Sequence, residues 1–447
     1  MPVPSSAVPE SGRPAPSSLW RDSTFRRLWV GQTASQLGEH TCLVVLPLFA
    51  VLTLDAGAGQ LGVLRAVGQA PILLLSLFVG AWVDRWRTRT VMVLTDAGRT
   101  LALGAAAVAG CLGWLGLPAL FVVAFAVGAL SVFFDVAYQA SVVRLVRRDQ
   151  LVRGNSALEG SRSAAQIGGP ALGGALVSLL SAPVAAACSA LFFALSFLSV
   201  RRIRRRVEVP PERRERPSPV RRRIHEGVRF VVADPSLRTV CLASAVFQFA
   251  FAAVMTVHLL FLPRELHLSG TAVGLALAAT GPGALVGSVL AARLPDRFGY
   301  GRVLVAAAAV GDGVFLCVPA LHGSSAVTVP ALLAVGFVFG AGGQLVNVAV
   351  MAVRQTLTPD GMQGRVAATI TFVGMGMSPL GSLLGGFLAE EWGVRTSLLA
   401  TAAGMTLSPV LMALSPLARL GRTLPAARNA PPRVGGPDDD PWGRPGA

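Results

Sequence analysis

Glu39 stands inside a long apolar run with Gln32 and Gln36 on the same helical face, a composition suited to a proton-carrying carboxylate with hydrogen-bonding company. An ionisable side chain in hydrocarbon costs about 2.5–3.5 kcal/mol on insertion scales, so each one calls for a function or a named partner. Asp312 is a second such carboxylate, about ten residues into a later run. Either acid can load and unload a proton, the elementary step of coupling to a proton gradient. A structural hydrogen bond is the alternative for Glu39, and pairing with a neighbouring helix for Asp312. Asp96 and Arg99, and likewise Glu159 and Arg162, are three residues apart, so each couple is expected to pair near one end of its helix, for structure or gating. Asp135 is expected to meet Arg85 or Arg89; its counterpart in the second half, Asn347, cannot titrate. Gln32, Gln36, Gln69, Gln166, Gln248, Gln344 and Asn347 suit a cavity offering hydrogen bonds to varied substrates, and interhelical hydrogen bonding explains each of them individually as well.

These residues need elements that hold them in a bilayer. Of 447 residues, 53% are hydrophobic and 14% charged, and mean hydropathy is +0.61, which excludes a water-soluble globule of this size. Twelve apolar runs, each long enough to cross about 30 Å of hydrocarbon, fall near 28–53, 60–82, 91–113, 118–141, 157–180, 183–200, 238–262, 270–292, 302–321, 328–352, 366–389 and 394–415. They lack the two-residue alternation of spanning strands. The predicted class is therefore an all-α membrane protein.

The net charge of +16 is carried entirely by arginine on the basic side, since no lysine occurs. Its distribution argues against nucleic acid. Arginines crowd the N-terminal segment, the loops after spans two and four, and 201–237, whereas 54–59, 114–117, 181–182 and 322–327 have none. By the positive-inside rule both termini and the central loop are expected on the cytoplasmic side of a bacterial inner membrane, with anionic lipid head groups as partners of the arginine-rich loops. The expected organisation is a disordered tail over 1–19, a six-helix bundle over 20–200, a basic linker over 201–237, a second bundle over 238–419 and a disordered tail over 420–447. Five cysteines lie inside apolar runs without CxxC spacing and read as packed thiols. No nucleophile-base pair, metal spacing or GxxxxGK[ST] motif points to catalysis, a cofactor or ATP hydrolysis.

A shift of 212 residues lays one half on the other without a gap. Gly62 falls on Gly274, Asp84-Arg85 on Asp296-Arg297, Gly128-Ala129 on Gly340-Ala341, Arg153 on Arg365, and Leu172-Gly173-Gly174 on Leu384-Gly385-Gly386. Six spans separate the copies, so both enter the membrane from the same side, and two such bundles can rock about a midplane cavity.

The segment Gly80-Ala-Trp-Val-Asp84-Arg85-Trp-Arg87-Thr-Arg89, repeated as Ala292-Arg-Leu-Pro-Asp296-Arg297-Phe-Gly299-Tyr-Gly301-Arg302, resembles the loop signature after the second span of the major facilitator superfamily. The departures are Ala292 for the usual Gly and Arg87 where Gly often stands. The resemblance implies a cytoplasmic latch in which Asp84 meets the N-terminus of the eleventh span near Arg365 in one conformation only. Gly168-Gly169-Pro170-Ala-Leu-Gly173-Gly174 resembles the Gly-Pro motif of antiporters in that superfamily, with Ala165 in place of an earlier glycine; close helix packing is the alternative. Leu94-Thr-Asp96-Ala-Gly-Arg99, Ser131-Val-Phe-Phe-Asp135, Asn155-Ser-Ala-Leu-Glu159-Gly-Ser-Arg162 and Glu226-Gly-Val-Arg-Phe look like the branch of enterobactin exporters and macrolide-efflux proteins. What this implies is a transporter that exports a small amphipathic compound, such as a drug or siderophore, in exchange for protons; a monomer is expected. An importer or facilitator of the same fold, or a receptor that has lost transport, stays open as an alternative.

Overall fold

The computed structural model describes residues 20, 22–83, 86–145, 151–203, 220–323, 327–359 and 362–422. The expected tails over 1–19 and 423–447, the middle of the linker (204–219), and Asp84 with Arg85 lie outside the described residues. Leu420 and Gly421, expected in the tail, are docked instead: their carbonyls accept from the backbone N–H of Gly301 and Tyr300, each at 3.0 Å.

The first half comprises α1 (Ser23–Leu52), α2 (Ala58–Val83), α3 (Thr88–Cys111), α4 (Leu117–Leu145), α5 (Leu151–Leu180) and α6 (Ala182–Arg201). An amphipathic helix, α7 (Val220–Ala233), occupies the later part of the expected linker. The second half comprises α8 (Pro235–Arg264), α9 (Gly270–Ala278), α10 (Thr280–Ala291), the short α11 (Leu294–Phe298), α12 (Tyr300–Gly313) continued by a 3-10 helix (Val314–Ala320), α13 (Thr328–Leu357), α14 (Gln363–Gly376), α15 (Ser378–Glu391), α16 (Val394–Met405) and α17 (Leu407–Ala413). Twelve membrane spans result among the described residues.

Adding 212 to the bounds of α1 and α6 gives 235–264 and 394–413, the bounds of α8 and of α16 with α17. The first helix of each half also starts on equivalent caps. The Asp22 carboxylate accepts from the Thr24 N–H at 2.8 Å, and Asp234 from Ser236 and Leu237 at 2.8 and 3.0 Å.

The halves differ where proline falls. Four spans of the second half, expected as single helices, are interrupted: at Ala279, at the entry to the 3-10 helix, at Met377 and at Thr406. Each interruption is followed by a proline (Pro282, Pro319, Pro379, Pro409), whose missing N–H and ring clash disrupt the preceding turn.

The halves meet at one end and part at the other. At the closed end one apolar core runs through both halves, from Val44, Leu61 and Ala185 to Val257, Val273 and Leu398. At the open end there are two separate cores. One holds Phe25, Val83, Phe134 and Val200 of the first half, the other Leu237, Leu304, Val353 and Val366 of the second. Glycine backbones cross the seam at two places. A Cβ on Gly62 would lie 2.9 Å from the Gly386 Cα, and one on Gly174 would lie 2.7 Å from the Gly274 Cα. The repeat exchanges these two crossings, since Gly62 matches Gly274 and Gly174 matches Gly386. Backbones approach this closely only without side chains.

Candidate functional site

Four helices of the first half converge on one cation. Arg99, on α3, is fully buried, and its guanidinium donates to Asp96 Oδ1 at 2.5 Å, Ser35 Oγ of α1 at 3.0 Å and Ser131 Oγ of α4 at 3.2 Å. It is sandwiched between the rings of Phe134 of α4 (4.5 Å) and Phe193 of α6 (4.3 Å). The second oxygen of Asp96 accepts from Ser196 Oγ of α6 at 2.5 Å. A buried ion pair is tolerable only when its remaining hydrogen-bonding capacity is met, and here three serines and two ring faces meet most of it.

Glu39 is the second acid on that cation. Its Oε2 lies 4.0 Å from Arg99 Nη1 and has no hydrogen-bond partner, although the side chain is 28% exposed. Asp135 of α4 and Arg162 of α5 carry further charges that act on it at longer range. α5 is brought close by its glycines: a Cβ on Gly173 would press on the Thr41 carbonyl at 2.8 Å, and one on Gly169 would meet the His40 backbone carbon at 3.0 Å. Gly385 makes the equivalent approach to Ala253 of α8. The Gly169-Pro170 segment thus packs α5 onto α1 one residue beyond Glu39.

Several expectations are corrected. Asp96 and Arg99 pair in the middle of α3 rather than near its end, because serines from three helices reach them only there. Glu159 and Arg162 make no ion pair with each other; both side chains are exposed, and the Arg162 charge acts on Asp135 and Glu39. Asp135 does not pair with Arg89, which instead donates to the Val200 and Arg201 carbonyls at the end of α6 (3.4 and 2.5 Å). Gln32 and Gln36 are 2% and 5% exposed, sealed among helices.

Of the other candidates, Gln69 donates across the seam to Ser382 Oγ at 3.4 Å; Gln248 and Gln344 are half-buried, and Gln166 and Asn347 exposed. Asp312 is 5% exposed at the end of α12, with no ion pair among the described residues. Arg365 pairs with Glu226 of α7 at 2.5 Å, and a Cβ on Gly227 would lie 3.0 Å from the Arg365 carbonyl, so α7 is seated on the start of α14. Gly80 lies near the end of α2, and Asp296 and Arg297 are exposed on α11.

Sequence reasoning missed Ser35, Ser196 and Phe193, which carry no signal apart from Arg99; Ser131 and Phe134 stood in a motif quoted for its resemblance, without a role assigned to either. It also passed over Arg65, which the cost of an intramembrane cation should have flagged.

The family model described as transmembrane secretion effector matches residues 15–434. The multidrug efflux pump Tap of Mycobacterium tuberculosis is 29% identical over 388 residues, covering 82% of this chain and 87% of Tap. Tap of Mycolicibacterium fortuitum is 27% identical over 391 residues, covering 86% and 93%. A solved bacterial homologue of the iron transporter ferroportin is 18% identical in sequence. Its inward-facing state superposes with a TM-score of 0.70, covering 89% of this chain and 98% of that one; its outward-facing state superposes with 0.56, covering 87% and 98%. Two six-helix repeats meeting at a shared seam, and a family match over nearly the whole length, lead to one assignment: the chain belongs to the transmembrane secretion effector family and is a membrane transporter of the major facilitator type.

Proposed function

We propose that the protein exports a small amphipathic organic compound in exchange for protons, by rocking its two halves about the crevice between them. The efflux function named for the Tap relatives supports export, and the arginine bias supports a cytoplasmic location for the open end and both termini. On that orientation the structure is inward-open.

The single observation that carries proton coupling is the Glu39 carboxylate, partly exposed, with an unpartnered oxygen 4.0 Å from an arginine already held by Asp96. One cation serves two acids. A proton on Glu39 leaves Arg99 to Asp96; a departing proton leaves a carboxylate that pulls on Arg99 and on the four helices gripping it. Binding of cargo in the crevice and release of the proton then bias the same bundle. The latch of Asp84 against the start of α14 belongs to this reading as the contact of the alternate state, in which Arg365 exchanges Glu226 for Asp84.

The test is export of a panel of lipophilic antibiotics and dyes from efflux-deficient bacteria, with and without a protonophore, followed by Glu39→Gln. Protonophore-sensitive depletion in the wild type and at least a tenfold loss of uphill transport in the variant are expected. Uphill, pH-driven transport retained by Glu39→Gln would move the coupling acid elsewhere, with Asp312 next.

A further inference from the structure

α2 carries a cation that no acid answers among the described residues. Arg65 lies seven residues beyond Ala58, about 10 Å along the membrane-spanning α2 from the closed end. Its Nε is buried without a hydrogen-bond partner, and no ion pair reaches it among the described residues. An arginine left alone at that depth is costly, and a guanidinium is always charged.

The direction it takes follows from its neighbours. Successive helical residues turn by about 100°. Gly62 and Gln69 face α15, through Gly386 and Ser382; Gly68 and Pro71 face α4, where a Cβ on Gly128 would lie 3.4 Å from the Pro71 ring; Leu74 and Phe78 are 55% and 59% exposed on the lipid side. The remaining side, between α15 and α4, points into the crevice between the halves, and Arg65 is on it. One turn further towards the open end Gln69 gives its amide N–H to Ser382, while its Oε1 is buried with no partner. A donor fork without an acceptor and a carbonyl without a donor therefore sit one turn apart at the closed end of the crevice.

We infer that Arg65, assisted by Gln69, binds an anionic group of the cargo, a carboxylate, sulfonate or phosphate on an amphipathic organic molecule, when the crevice is loaded. A planar guanidinium takes such groups through two parallel hydrogen bonds, and the low dielectric strengthens them. Gln69 Oε1 accepts from a neighbouring N–H or O–H of the same molecule. The inference rests on the transport reading only in taking the occupant to be cargo.

The experiment compares two probes that differ by one anionic group, 8-anilinonaphthalene-1-sulfonate and uncharged N-phenyl-1-naphthylamine. Their fluorescence is titrated against the full chain in phosphatidylcholine nanodiscs, with empty discs subtracted. Expected are saturable sulfonate binding at least tenfold tighter than that of the neutral probe, at least a tenfold loss in Arg65→Gln with the neutral probe within about twofold, and partial retention in Arg65→Lys. No saturable sulfonate binding to the wild type, or no preference over the neutral probe, overturns the inference without any variant. So does equal sulfonate affinity in Arg65→Gln, or a loss shared by both probes. Displacement by submillimolar inorganic phosphate would assign the site to a free anion, and suppression by phosphatidylglycerol in the discs to a lipid head group; either result overturns the cargo assignment. Binding needs no gradient, so Arg65-dependent binding without any efflux would sink the export reading alone.

Discussion

Arg99 is a charge taken out of water, and its partners decide whether that is tolerable. Asp96, three serines and two aromatic rings answer it, so removing the guanidinium alone strands a buried carboxylate. Arg99→Met is expected to destabilise the protein by about 3–5 kcal/mol, read as a lower unfolding temperature in detergent. The double variant Asp96→Asn with Arg99→Met removes both charges and is expected to recover most of the loss; equal damage from both would mean that the pair is not what the helices are built around. The two charges were legible in the sequence as an i, i+3 couple. Their third partner was not, because Glu39 lies 60 positions from Arg99 and nothing local records that α1 and α3 cross there. Arg65 shows the opposite failure: the signal was present, one arginine inside an apolar run, but the run's overall hydropathy concealed it.

Helix boundaries were legible to a few residues wherever glycine, proline or a charged loop closed an apolar run, and the 212-residue offset fixed the second half from the first. What composition did not convey was continuity. Pro71 and Pro170 are accommodated within unbroken α2 and α5, whereas Pro282 and Pro379 interrupt the matching spans. A ring placed one turn differently meets a different neighbour, and only the assembled bundle decides whether the freed carbonyl is satisfied. The glycines of α5 divide by face: Gly169 and Gly173 fit α1, and Gly174 fits α9. Gly174→Val is therefore expected to overpack the seam by about 1–3 kcal/mol and shift the population about 5- to 150-fold towards the state with the closed end parted. Distances between spin labels on α5 and α9 check this. Gly168→Val, where a Cβ meets open space, is the control expected to leave them unchanged.

For the whole molecule, one shared core at the closed end and two separate cores at the open end describe a pair of rigid bodies touching along a line. Alternating access requires that line to part. With the native cysteines replaced, Asp55→Cys and Arg264→Cys, at the ion pair that joins the halves at 3.0 Å at that end, are linked by a short reducible bifunctional thiol reagent, which is expected to abolish transport and to release it on reduction; transport through a fully cross-linked protein would refute rocking about this seam. The chemistry is unevenly divided between the bodies. The fully buried acid–arginine pair, Asp96 with Arg99, lies in the first, while Asn347 replaces Asp135 in the second, and the proline-broken helices all lie in the second. The seam itself has a further consequence. At both of its crossings glycine backbone meets glycine backbone, so the contact offers nothing for hydrogen ions to titrate and little for dissolved ions to screen. What acid or brine can weaken at that end is the exposed Asp55–Arg264 pair, 3.0 Å apart across the halves, so a change of habitat loosens the rim of the door while the glycine crossings behind it hold by shape.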